Sequence, residues 1–284
     1  MYQVERDDLD LRVYFANTDP SVHPLWKDQL LLKLVNRAVA AEEAVASSDF
    51  QLLRELEKEG KLGHKTGLDF SYALQYCYDT SSSPFIAIFE GDIIFADGWL
   101  ARARLGLQDI AERTLGTKRP WLDMRLFNEE RSIGWASTNI LGNNVPLIIF
   151  GLATGLFSIH ALIRRYTGKS LSYQTVFVIC CVSIPAFVIL FYQAGKSSLL
   201  PPTPGIKVQN WGCCTQGLIL PRERVPDLVL ELQRRAPEAA ADIIIIDYAQ
   251  SQNLLRYALD PVQLQHMGTL ATRTSLVHLT NKLS

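Results

Sequence analysis

Phe85-Ile86-Ala87-Ile88-Phe89-Glu90-Gly91-Asp92 is the stretch on which the fold turns. Five apolar residues, bulky types alternating with a small one, predict a core strand buried on both faces. Ser81, Ser82, Ser83 and Pro84 punctuate its start, and acid-Gly-acid ends it. A strand that delivers two carboxylates to its C-terminal edge puts them where open α/β sheets bind ligands. Two hard oxygen donors there suit a divalent cation carrying phosphate groups. Taken alone, the same residues also describe a strand that stops at a solvated acidic turn.

Upstream, Leu11 to Asn17 alternates as a strand, and Asp19-Pro20-Ser21 opens a helix. Trp26, Leu30, Leu31, Leu34, Val35 and Ala38 recur at helical spacing, so that helix is expected to run towards Ala46. A shorter helix covers Phe50 to Lys58, and Gly60 to Gly67 reads as a polar loop. Thr66, Gly67 and Asp69 offer caps for a helix through Ala73 and Tyr76 to Cys77. Downstream, Asp97-Gly98 leads into a helix from Trp99 to Ala111, and Trp121 to Phe127 reads as a strand. Strands alternating with helices indicate an α/β sheet.

The alternation then breaks. Val145 to Ile163 is a run of about 19 residues without a charge, and Tyr173 to Ala194 adds about 22 more, each close to the length that crosses a bilayer. Arg164, Arg165 and Lys169 lie in the connection, 164–172, so the positive-inside bias puts that turn in the cytosol and both polar halves on the lumenal side. Pro185 is expected to bend the second helix, and His160 to lie beside Arg164 near the turn. This divides the chain into a first lumenal part (1–140), a transmembrane hairpin (141–200) and a second lumenal part (201–284).

Beyond Pro201-Pro202-Thr203-Pro204-Gly205, strands are expected at Val208 to Trp211 and Gly217 to Leu220, and Pro221 as the first residue of a helix through Leu232. Ile243 to Ile246 favour strand by propensity while their flanks favour helix, and the pattern leaves both open. Leu254 to Leu259 reads as a strand ended by Asp260-Pro261, and the tail from Thr269 as partly disordered. Neither polar half makes a domain alone. Joined across the hairpin they supply at least four strands and several helices, enough for one α/β domain.

The chain has 284 residues, a formal net charge of −1 and five cysteines. Neither a nucleic-acid footprint nor an acidic tail follows from that charge. No CxxC pair and no His at zinc spacing accompany the cysteines. In a lumenal domain Cys77 could bridge to Cys213 or Cys214, since adjacent cysteines rarely bond each other comfortably. Cys180 and Cys181 read as apolar filler of a membrane helix. Met1 to Asp8 is polar and acidic, neither signal nor anchor.

Four pieces of the sequence carry a family resemblance: Phe85 to Ile93, Asp123 to Arg131, Gly212 to Thr215, and Leu259 to Gly268. In their order around the hairpin, the chain resembles the lumenal glycosyltransferase family with a split GT-A fold that adds a hexosamine side chain to glycosylphosphatidylinositol (GPI) anchors (post-GPI-attachment-to-proteins factor 4-like). The resemblance spans roughly residues 10 to 275. It implies an α/β, GT-A-like domain with a Rossmann-like mixed sheet, interrupted by a two-helix transmembrane hairpin and resident in the Golgi or endoplasmic reticulum membrane. It further implies an inverting, metal-dependent transfer of N-acetylgalactosamine or another hexose or hexosamine from a UDP-sugar to the GPI glycan.

By position, the family's acidic motif falls on Glu90, Gly91 and Asp92. The resemblance makes Asp92 a ligand of the metal, usually Mn2+, with Glu90 orienting the metal shell or the ribose and His266 completing the site. It makes Asp242, with Asp247 second, the candidate general base at a helix start; either could equally be a capping acid. Two departures stand out. Gly91 replaces the middle acid, and the family's N-terminal anchor and first nucleotide-binding strand are not visible before Leu11. A catalytically inactive relative that binds a GPI glycan or a partner enzyme is the alternative these departures raise.

Overall fold

The computed structural model describes residues 9–117, 119–127, 144–168, 171–194, 203–210, 212 and 214–267. Strand β1 (Arg12–Phe15) is followed by a short 3-10 turn, helix α1 (Gln29–Leu34), β2 (Arg37–Ala40), α2 (Ala41–Ala44), α3 (Ser47–Lys58) and α4 (Leu62–Thr80). Next come β3 (Phe85–Phe89), β4 (Ile93–Phe95), α5 (Trp99–Thr117), β5 (Trp121–Arg125) and the long helices α6 (Val145–Thr167) and α7 (Tyr173–Ala194). The chain closes with β6 (Gly205–Val208), β7 (Gly217–Pro221), α8 (Val225–Arg235), α9 (Ala241–Ser251), β8 (Leu255–Asp260) and β9 (Leu264–His266).

The contacts divide the chain into two units, 1–128 with 204–284, and 129–203. The first unit is built on a mixed five-stranded sheet in the order β3-β7-β5-β8-β6. Strands from before and after the long helices interleave in it, so the two polar parts form one α/β unit. Only β5 and β8 run parallel; β7 pairs antiparallel with β3 and β5, and β6 antiparallel with β8. Period-two alternation sorts side chains to two faces. Leu218, Leu220 and Ile86 meet α4, α8 and α9 on one face, while Ile219, Met124, Tyr257 and Leu259 meet α5 on the other. Val225, Leu228, Val229 and Leu232 are the buried stripe of α8, each stabilising by about 1.5–3 kcal/mol on burial. Two smaller pairings complete the unit, β1 parallel to β2 and β4 antiparallel to β9.

Several sequence expectations change here. β3 is an edge strand, hydrogen-bonded to β7 alone among the described residues; Ile86 is buried while Phe85 and Ala87 are exposed, so one face is open. No helix runs from Asp19 to Ala46. Asp28 accepts from the Leu30 and Leu31 N–H groups and starts the short α1, and the chain is extended again at Val35. β2 then pairs with β1 and buries Val39 and Ala40, which outweighs the local helical spacing. The expected loop 60–67 lies mostly within α4, so Thr66, Gly67 and Asp69 are helical residues and not caps. A Cβ on Gly67 would stand 3.1 Å from the Ala236 Cβ, a close approach that seats α4 against the end of α8. Pro221 ends β7; the helix that follows has Pro226 in its first turn. The four isoleucines belong to helix α9, and the β6 strand starts at Gly205, ahead of the expected Val208. Cys77 is a free thiol while Cys214 is disulfide-bonded, so no bridge joins those two; Cys213 and the tail from Thr269 lie outside the described residues.

A buried lysine ties the first unit's N-terminal strands to its helices. Lys65 Nζ donates to the Ala16 carbonyl at 2.6 Å and to Asp69 Oδ2 at 2.7 Å, and Glu57 Oε2 lies 3.4 Å away. One ammonium therefore serves two carboxylates. Burial pushes Asp69 up to about 6; Lys65 opposes the shift and Glu57 adds to it. The folded state thus holds this proton more tightly than the unfolded chain, where Asp titrates near 4. The contribution of Asp69 to stability is greatest below about pH 4 and is lost as pH rises to about 6, by on the order of 2–3 kcal/mol. Thermal unfolding in detergent across that window should show the fall, and Asp69→Asn should flatten it.

The second unit is described separately. α6 and α7 have mean hydropathies of 2.0 and 2.5 over their most apolar windows, of which only 6% and 11% is buried. At 1.5 Å per residue each is about 33–35 Å long, enough to cross a hydrocarbon core. Both are long and apolar enough to cross a membrane, and little of either is covered. α6 runs four residues past Ile163, to Thr167, and Ser172 caps α7 by accepting from the Thr175 N–H. A π-helical segment, Ile179–Ser183, precedes Pro185, a local widening of the kind found where a helix ladder is interrupted. His160 does not reach outward: it is buried edge-on to Tyr173 (ring centroids 5.6 Å apart), and Arg164 lies over the Tyr173 ring at 4.3 Å.

Candidate metal centre

The turn after β3 and the strand β9 meet at one end of the sheet. Glu90 follows β3 directly; its N–H donates to the Gln216 carbonyl (3.2 Å), and its Oε1 accepts from Thr215 Oγ1 (2.6 Å). Gly91 and Asp92 turn the chain into β4, whose Ile93 is paired with His266 of β9. The Met267 N–H donates to the Asp92 carbonyl at 2.8 Å, extending the ladder past that pair. The β4–β9 register therefore sets Asp92 and His266 side by side, from opposite parts of the chain.

His266 Nε2 lies 3.0 Å from Asp92 Oδ2 and 4.0 Å from Glu90 Oε2. Ligand-type atoms of all three residues fall within 4.8 Å of one another, the only such group of three among the described residues. Two donors around a cation at 2.0–2.6 Å are at most about 4–5 Å apart, so this spacing fits an ion of Mg2+ to Ca2+ size with little movement. Two carboxylate oxygens and one imidazole nitrogen form a mixed donor set, suited to a borderline ion such as Mn2+ and leaving positions open for other oxygen ligands. Burial pushes the Glu90 carboxyl up; the Thr215 hydrogen bond and His266 oppose this, and the charges of Asp92 and Asp242 add to it. A cation between the carboxylates would relieve that repulsion.

Asp242 sits half-buried in the first turn of α9, with Oδ1 accepting from the Ile243 N–H at 2.9 Å. Its charge is the weakest of the influences that raise the Glu90 carboxyl. Asp247 is engaged elsewhere. Its Oδ2 is 2.9 Å from Arg235 Nη2, at the end of α8, and a carboxylate in that ion pair is a poor base. Of the two, Asp242 is the one whose charge acts on Glu90, while Asp247 is held in an ion pair with Arg235.

Sequence reasoning missed a buried ionic group behind the site. Asp123 and Arg256 are opposite one another on β5 and β8, and Arg256 Nε and Nη2 each lie 2.8 Å from Asp123 Oδ2. Arg125, two residues on, donates from Nη2 to the Gln209 carbonyl at 2.6 Å. Asp123, Arg125 and Arg256 are all essentially inaccessible. Gln209 and Gly212 lie against Arg125: a Cβ on Gly212 would collide with the Arg125 guanidinium. The available signal was charged residues at alternating positions of otherwise apolar strands.

No protein-family model matches the chain, and no curated protein matches it.

Proposed function

We propose that the chain is a membrane-anchored, divalent-cation-dependent glycosyltransferase of the Golgi that moves a hexose or N-acetylhexosamine from a UDP-sugar to the glycan of GPI anchors. The observation that carries this reading is the convergence of Glu90, Asp92 and His266 at the end of a mixed sheet whose strands come from both sides of the apolar helices. The family resemblance supplies the donor, acceptor and compartment, and with them a lumenal placement of the sheet unit and a cytosolic turn between α6 and α7.

A cation held by Asp92, Glu90 and His266 would supply charge neutralisation for the departing diphosphate. The chain's own residues do the rest. Thr215 fixes the Glu90 carboxylate, and the β4–β9 ladder fixes Asp92 against His266. Asp242 accepts the proton of the acceptor hydroxyl as its oxygen bonds to the anomeric carbon. The bond from that carbon to the phosphate oxygen breaks on the opposite face, and its electron pair leaves with the diphosphate, which inverts the centre. Orientation and electrostatics carry the barrier reduction.

The direct experiment incubates purified full-length protein with Mn2+, a panel of UDP-sugars and a GPI glycan, and follows transfer by mass spectrometry. Transfer from one donor that EDTA stops is the expected result. Cation binding without transfer from any donor would favour the inactive relative, a reading Gly91 supports by removing one charge from the motif. Gly91 is exposed and a Cβ there meets nothing within 4 Å. Gly91→Asp is thus expected to fold normally and to tighten Mn2+ binding several-fold, measured by calorimetry. Unchanged affinity would mean that the middle position does not face the ion.

A further inference from the structure

Segment 22–34 carries more exposed apolar surface than a water-facing element needs. None of the six residues of α1 is buried. Leu30, Leu32 and Leu34 are 70%, 45% and 61% exposed, and Val22 and Leu25 ahead of them are exposed as well. Side chains two positions apart project to different sides of a helix, so one packing neighbour would not cover all three. A helix that is apolar all round is ordinarily sunk in a core or in lipid.

The segment is firmly attached at its base. Trp26 packs edge-on to Phe15 of β1, ring centroids 5.1 Å apart. Lys27 and Lys33 are exposed among the leucines, while Asp28 is engaged in capping α1. Leucine and tryptophan interleaved with lysine is the composition of elements that lie in the headgroup layer of a bilayer, where lysines extend their charges outward. The same chain carries two helices able to cross a membrane, and residues 195–202 join the second to the sheet unit. Eight residues reach at most about 30 Å. A tether that short raises the effective concentration of lipid around the sheet unit, and an exposed apolar patch on that unit meets lipid ahead of a free protein partner.

We infer that segment 22–34 is a membrane-contact element, with Leu25, Leu30, Leu32 and Leu34 seated in the interfacial layer of the bilayer that α6 and α7 cross. The inference rests on the membrane reading of those helices, and the test separates the two. Full-length chain carrying an environment-sensitive fluorescent residue at position 30, 115 or 157 is reconstituted into phosphatidylcholine vesicles with and without doxyl-labelled lipid. Position 30 reports the patch, position 157 the middle of α6, and position 115 replaces a lone leucine of the sheet unit that is 82% exposed. The expected result is loss of emission at 30 to shallow doxyl groups, loss at 157 to deep ones, and none at 115. Quenching at 157 without quenching at 30 overturns the contact while the spans stand. Equal quenching at 30 and 115 overturns it as unspecific. No quenching at 157 removes the membrane reading and the contact together.

Discussion

Asp123→Ala is expected to destabilise the sheet unit by about 3–5 kcal/mol, the usual cost of removing one partner of a buried ion pair. The ledger of charge explains why. Asp123 stands against Arg256, with both side chains at most 2% exposed, and Arg125 lies on the same strand face. Burial first and the neighbouring Arg256 second lower the pKa of Arg125 to about 10, and Asp123 opposes them. Deleting Asp123 leaves the buried Arg256 without the carboxylate that it is bonded to. Arg256→Met is different, because it keeps an unbranched apolar stem and leaves Asp123 with Arg125 nearby. Its cost should be about half as large. For a unit of this size the first variant should lower Tm by roughly 6–20 °C, read by thermal unfolding in detergent. If Arg256→Met proves equally or more damaging, the balance of charge assigned to this cluster is wrong.

Asp92→Ala is expected to weaken Mn2+ binding by at least about 100-fold, since even outer-shell changes at metal sites cost 10–100-fold. His266→Ala should do the same, because the β4–β9 register gives the two residues a shared geometry. Isothermal titration of Mn2+ measures this without any assumption about the donor sugar. Asp242→Asn supplies the contrast: metal affinity stays near wild type while transfer falls by about 10²–10⁴-fold, the range of general-base loss. Asp247→Asn should leave transfer intact, as Asp247 is engaged with Arg235. Wild-type metal affinity in both Asp92→Ala and His266→Ala would dismiss the cluster as an ordinary hydrogen-bonded acidic turn.

These expectations draw on different levels of information. The lengths of the apolar runs needed no tertiary knowledge, because hydrophobic extent is a local property, and α6 and α7 lie where composition puts them. The α/β character was equally open to view in the alternation of strand and helix signals. So was the pairing of the two polar parts, since neither holds enough strands to close a sheet by itself. Glu90 and Asp92 could be named in advance because an acid-Gly-acid turn after a strand is chemically conspicuous, whereas His266 was named only through the family resemblance, since a lone late histidine reads as a surface residue.

What sequence patterns could not decide were matters of neighbours. Phe85 to Phe89 has the composition of a central strand, yet β3 is at the edge, because strand order depends on which long-range pairing wins. Ala38 to Ala40 suit a helix locally, but hydrogen bonds to β1 and burial of Val39 make them a strand. Gly63 and Gly67 suggested a loop, and packing of α4 against Ala236 keeps them helical. Four isoleucines are apolar in either geometry, and only their place against α8 makes them helix α9. Asp242 and Asp247 are both acids of one helix to a sequence reader. An arginine at the end of another helix pairs with one of them and not the other, and that contact is written in the tertiary structure alone.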